Sequence, residues 1–287
     1  MTGAEDELDA VIDTSRWVDA LADWRARFAA AEPFPHLVVD DALRPESFRR
    51  AVEGFPDPAG ADWISYHHVN ERKLGNVDPT SWGPELGRVA RALTGEPFTE
   101  LLRTVTGLDD LVADETFDGA GLHVTRSGGH LGIHRDFDVH HRRPDWRRRC
   151  NLLLYLNESW PPDAGGDLEL WDAELTRCVR RIAPLGNRMV LFLTSDRSFH
   201  GHPTPLRTPP GTDRRSLAVY YYTPGHVGAP HPTRYRSVPG AGPGPVAVAV
   251  DNALLGLYDR LKRRLGTGDR VVSRLLGAAD RLRRGSR

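Results

Sequence analysis

A chain of 287 residues is long enough to bury a sizeable core, as one large domain or one domain with helical appendages. With 38 Lys and Arg against 39 Asp and Glu, a net charge of −1 and 39% hydrophobic residues, the composition offers no bulk basicity for nucleic acid. The acidic opening MTGAEDELDA lacks a secretory apolar core, no apolar run reaches the ~18 residues of a membrane span, and Cys150 and Cys178 are too few for a disulfide framework. A cytoplasmic protein with two free thiols is expected.

The first 120 residues read as helical support with early strand content. Ser15 to Ala31 sets Trp17, Leu21, Trp24 and Phe28 at three- and four-residue steps, which predicts a helix ended by Pro33 and Pro35. Leu37-Val-Val is a short strand candidate, and further helices are expected over Pro45 to Glu53 and from Trp82 to about Leu102. Tyr66 to Lys73 gathers polar groups and is read as a solvated loop, with a substrate mouth as its functional alternative.

From residue 121 to 224 short apolar runs are cut by Gly, Pro and Asn, the texture of an all-β sandwich or barrel. Strands are expected at Leu122–Thr125, Asn151–Leu156, Leu168–Trp171, Arg177–Ile182, Arg188–Leu193 and Ser216–Tyr222. Residues 225–245 read as a Gly- and Pro-rich linker. Residues 246–287 read as a basic helical tail in which Leu254, Leu257, Leu261 and Leu265 recur at helical spacing. That stripe is expected to pack on the domain, with a peripheral membrane or partner contact as the alternative.

His134-Arg135-Asp136 places an imidazole and a carboxylate two apart, on one face of a strand, where both can reach a single ion. About one such pair arises by chance in a chain with this much His and Asp, so its weight comes from residues further along the chain. His200 lies four strand candidates later, where a rolled sandwich can return it to the same place. Two imidazoles and one carboxylate suit Fe(II) with open positions, although zinc is compatible with the same ligands. His202 is a rival to His200. Arg214 opens a strand expected to lie in the core, and burying its guanidinium calls for an anionic partner, its planar fork matching a carboxylate. Alternation turns its neighbour Arg215 to the opposite face.

His134-x-Asp136, then His200, then Arg214-x-Ser216 resembles the iron(II)/2-oxoglutarate dioxygenases, in particular their prolyl 4-hydroxylase-like branch. The likeness spans roughly residues 120–224 and extends to GGHLGIHRD, NLLLYLN, GGDLELW, IAPLGNRMVLF and SFHGHP. The resemblance implies a mainly β fold with flanking helices (α+β) around a double-stranded β-helix of jelly-roll or cupin type. It implies that His134, Asp136 and His200 bind iron and that Arg214 pairs with the distal carboxylate of 2-oxoglutarate, with Tyr155 and Ser216 as further contacts. Fe(II), 2-oxoglutarate and O₂ would be required, with ascorbate as an accessory reductant, and succinate and CO₂ released. Family members that halogenate lack the carboxylate, so Asp136 points to hydroxylation. The substrate would be a small molecule or a peptide, prolyl residues included; the competing expectation is a catalytically silent cupin-like protein that binds a metal or a small acid.

Several features are expected to have local roles. Arg142, Arg143 and Arg147 to Arg149 are read as a loop at the site's mouth, steering an acidic substrate or merely exposed. Trp160 and Trp171 read as core aromatics, and Gly201 and Gly211 as turn residues.

Overall fold

The computed structural model describes residues 3–60 and 62–265. Two helices, α1 (Gly3–Val11) and α2 (Thr14–Ala30), precede strand β1 (His36–Val39) and helix α3 (Pro45–Glu53). Asp13 caps α2, its side chain accepting a hydrogen bond from the Arg16 backbone N–H, and Trp17, Trp24 and Phe28 are buried as the periodicity requires. Then come the hairpin β2 (Ile64–His68) and β3 (Glu71–Asn76), helices α4 (Pro84–Thr94) and α5 (Glu96–Thr106), and the short β4 (Val112–Ala113). The single helix expected from Trp82 to Leu102 is therefore two. Gly95 takes extended dihedrals between them and Pro97 opens the second, where its missing N–H is harmless. Tyr66 to Lys73, expected as a loop, is this hairpin, hidden because its alternation is between polar residues.

The central segment supplies β5 (Gly121–Thr125), β6 (His130–Arg135), β7 (Arg147–Tyr155), β8 (Leu168–Trp171), β9 (Cys178–Ile182), β10 (Met189–Leu193), β11 (His200–His202) and β12 (Arg214–Thr223). Ten strands follow one another through one curled sheet in the order β1-β10-β7-β12-β5-β3-β6-β11-β8-β9, with β2 paired to β3 and β4 to β12, and the pairings among the described residues are antiparallel. The sheet rolls into the expected jelly roll, with β3 bridging its two walls between β5 and β6. Strand alternation divides the side chains. On β7, Leu152 and Leu154 join Leu217, Val219 and Tyr221 of β12 against Trp17, Leu86, Leu93 and Phe98 of the helices. Tyr155 instead packs inside the roll with Leu168, Leu170, Val190 and Phe192. The Tyr221 hydroxyl donates to the Leu93 carbonyl at 2.6 Å, fastening β12 to α4.

Within the linker, Arg234–Tyr235 forms β13 and pairs with β6, so residues 225–245 contribute to the sheet. Helix α6 (Pro245–Leu265) follows. It docks through Val248, through Asp251, which binds His68 and Asn70, and through Asn252, which both accepts from and donates to the Tyr235 backbone. Leu254 and Leu257, expected to pack on the domain, are 63% and 55% exposed because these other residues form the docked face. The side chains of Leu261 and Leu265, and all of 266–287, lie outside the described residues. No described helix is long and apolar enough to cross a membrane. Both cysteines are free, and burial pushes the Cys150 thiol up to about 12.

Candidate metal and co-substrate site

His134 near the end of β6 and His200 at the start of β11 are register partners across one antiparallel step. Asp136 comes directly after β6 and turns back to them, its Oδ1 3.6 Å from His134 Nε2 and its Oδ2 3.5 Å from His200 Nε2. One ligand atom from each of the three lies within 4.8 Å of the others. Both imidazoles are fixed from behind: His134 Nδ1 is 2.9 Å from the Gly132 carbonyl and His200 Nδ1 is 3.0 Å from the Ser198 carbonyl. A carbonyl can only accept, so each ring carries its proton on Nδ1 and turns the Nε2 lone pair toward the shared point. Burial, partly offset by Asp136, pushes the His200 imidazole down to about 4, which keeps that lone pair free.

Burial alone would push the Asp136 carboxyl up, but Arg148 and His200 outweigh it and hold the group well below the usual carboxylate range. Arg148 Nη2 lies 3.2 Å from Oδ1, while Asn151 Nδ2 donates to Oδ2 at 2.8 Å. Arg148 Nε in turn donates to Asn151 Oδ1 at 2.6 Å. Instead of lying in the expected exposed loop, this arginine belongs to β7, which starts at Arg147, and Arg148 is 1% exposed. The cause is a bulge. Tyr221 pairs with Cys150 but Tyr222 pairs with Arg148, so Arg149 is an extra residue that reverses the alternation and turns Arg148 inward. No sequence pattern marks that bulge.

Arg214 opens β12 and is 5% exposed. Its Nε donates to the Gly166 carbonyl at 2.8 Å and its Nη2 to the Tyr155 hydroxyl at 3.1 Å. Ser216 is buried and is the register partner of Tyr155. Arg215 does point away, its guanidinium over the Phe55 ring. Among the described residues, then, Arg214 keeps guanidinium N–H groups beyond those spent on Gly166 and Tyr155, inside the roll. His202 is also buried but is not part of the triad cluster; burial first and the Arg214 charge second push its imidazole down, and its Nδ1 has no hydrogen-bond partner. A groove of about 350 Å³ runs along the β2–β3 hairpin, lined by His67, Arg72, Lys73 and Arg126 among others.

The donor set fits a six-coordinate divalent metal with three positions left for other ligands, which is the arrangement suited to Fe(II), O₂ and a chelating keto acid. Comparison with known proteins agrees with this chemistry. Residues 120–222 match the sequence model of the 2OG-Fe(II) oxygenase superfamily, and the fold is prolyl hydroxylase-like. An 81-residue segment is 35% identical to the mouse prolyl 3-hydroxylase OGFOD1; it covers 27% of this chain and 14% of that protein's length. The fold is similar to that of the Trichoplax adhaerens prolyl hydroxylase solved with a hypoxia-inducible-factor degradation-domain peptide, at a TM-score of 0.51 and 17% identity over 75% of this chain and 96% of that one. A Pseudomonas putida prolyl 4-hydroxylase aligns with a TM-score of 0.46 and 17% identity over 71% of this chain and 100% of its own.

Proposed function

We propose that the protein is an Fe(II)- and 2-oxoglutarate-dependent dioxygenase that hydroxylates an unactivated C–H bond of a small molecule or a peptidyl residue, with release of succinate and CO₂. The observation that carries this reading is the meeting of His134, Asp136 and His200 inside the same roll that holds the Arg214–Tyr155 pair.

In this reading His134 Nε2, Asp136 and His200 Nε2 hold the iron, and the iron when bound supplies activation of O₂ against the keto acid. The chain's own work is positional. Gly132 and Ser198 carbonyls lock the imidazole tautomers, and Asn151 and Arg148 fix the carboxylate. Arg214 anchors the distal carboxylate of 2-oxoglutarate with a planar fork, the Tyr155 hydroxyl adds a donor, and Ser216 lies close by on the same face. Leu168, Leu170, Val190 and Phe192 exclude water from that end of the roll. The cationic groove along the hairpin supports substrate approach from that side, and the named relatives make peptidyl proline the first substrate to try. The two free thiols suit a reducing compartment, and we place the protein in the cytoplasm.

The test is succinate formation from 2-oxoglutarate by purified protein with added Fe(II), with prolyl peptides and small molecules as prime substrates. Turnover that disappears in Asp136→Ala supports the reading. Metal and 2-oxoglutarate binding with no turnover on any substrate supports a silent binder instead.

A further inference from the structure

Arg148 sets a charge problem at the metal site. Two neutral imidazoles and one carboxylate would offer a dication one negative charge, yet the Arg148 guanidinium stands 3.2 Å from Asp136 Oδ1 and cancels it. This is no mobile surface cation that swings aside. Arg148 is 1% exposed, bound through Nε to Asn151 and packed face-on at 3.3 Å from the Tyr220 ring centroid and 4.7 Å from that of Phe137. The Arg149 bulge fixes its direction. A divalent metal alone would therefore add two uncompensated positive charges to a largely buried site, whereas a metal carrying dianionic 2-oxoglutarate adds none.

Resting on the function proposed above, we infer that Arg148 is a positioning residue that couples metal retention to the co-substrate. By neutralising Asp136 it leaves the bare dication weakly held and the dication with 2-oxoglutarate tightly held. Its link to Asn151 meanwhile keeps the carboxylate aimed at the two imidazoles. By linkage, the factor by which 2-oxoglutarate tightens the metal equals the factor by which the metal tightens 2-oxoglutarate.

The experiment titrates Co(II) into the metal-free full chain with and without 2-oxoglutarate, following Co(II) absorption, and uses thermal unfolding to check each variant. Wild type is expected to bind Co(II) at least about tenfold more tightly with 2-oxoglutarate than without. Arg148→Gln, which removes the charge, is expected to bind Co(II) alone more tightly than wild type, with the coupling ratio falling toward one. Arg148→Lys keeps the charge and retains most of the ratio. Weaker Co(II) binding in Arg148→Gln with an unchanged ratio overturns the inference, because a purely structural arginine predicts that outcome. Equal affinities in wild type with and without 2-oxoglutarate overturn it too, whether or not any variant folds. If wild type binds no Co(II) at all, the proposed function falls with it; wild type that couples the two ligands while Arg148→Gln couples them equally removes only this inference.

Discussion

His134 and His200 face each other as register partners on β6 and β11, so a single step of an antiparallel ladder sets the separation of the two imidazoles. His202, two residues on in β11, pairs with Leu131 and stands outside the triad cluster. Exchanging the two histidines is thus not a conservative change. His200→Ala should lose Co(II) or Fe(II) affinity by more than the roughly tenfold to hundredfold typical of an outer partner. His202→Ala should keep metal affinity within about threefold. Calorimetry on both variants checks this, and metal loss in His202→Ala alone would move the ligand assignment.

Arg214 separates co-substrate binding from metal binding. Its guanidinium is oriented by Gly166 and Tyr155 before any ligand arrives, so little ordering remains to be done. Arg214→Lys keeps a positive charge but loses the fork, and should raise KM for 2-oxoglutarate about tenfold to a hundredfold. Tyr155→Phe removes one hydrogen bond and should raise it by about tenfold or less. Neither should shift Co(II) affinity measured without 2-oxoglutarate. Burial pushes the Tyr155 phenol up, so it stays a proton donor across the working range.

How far these residues are readable from sequence depends on how local their causes are. His134, Asp136, His200, Arg214 and Tyr155 stand in or beside short strands whose period of two needs no knowledge of the partner strand. Arg148 cannot be read that way, because a one-residue bulge defined only by pairing with Tyr221 and Tyr222 reverses its direction. The hairpin β2–β3 is hidden by polar alternation, and its insertion between β5 and β6 is a tertiary fact. The break at Gly95-Glu96-Pro97 does carry a local signal, a glycine with a proline two positions on, suited to a helix start.

The docking of α6 should depend on pH. His68 donates toward Asp251 of α6 through Nδ1 at 2.8 Å and toward Glu71 of β3 through Nε2 at 3.1 Å, while Tyr235 packs against its ring and Lys73 pairs with the other Glu71 oxygen. Burial pulls the imidazole down, but the two carboxylates outweigh it and raise it from 6.5 to about 9. Because the folded value lies above the unfolded one, the stabilisation is complete below pH 6.5 and is lost as pH rises through about 9. Wild type should therefore melt above His68→Gln at pH 6, and the gap should narrow by pH 10. A gap that stays constant across that range would remove the charged pair as its cause.

Gly201, expected to serve only a turn, lies within β11 between the two histidines, pressed against the backbone of β6. A Cβ there would stand 2.7 Å from the Gly132 carbonyl oxygen and 2.8 Å from that of Leu131, and neither backbone atom can swing away as a flexible side chain would. The Gly132 carbonyl is also the acceptor that orients His134. Gly201→Ala must then push β11 off β6, widening the step that joins His200 to His134 and disturbing the bond behind one imidazole. Destabilisation of about 1 to 3 kcal/mol is expected from overpacking of this kind. Metal affinity should fall as well, by about tenfold, although no ligand has been touched. The same substitution at Gly211, where no atom lies within 4 Å of a Cβ but φ is +82°, should strain only a turn and leave the metal in place. Calorimetric Co(II) titration of the two variants at a temperature where both are folded separates the cases: equal affinities in Gly201→Ala and Gly211→Ala would show that the β6–β11 spacing does not govern the site.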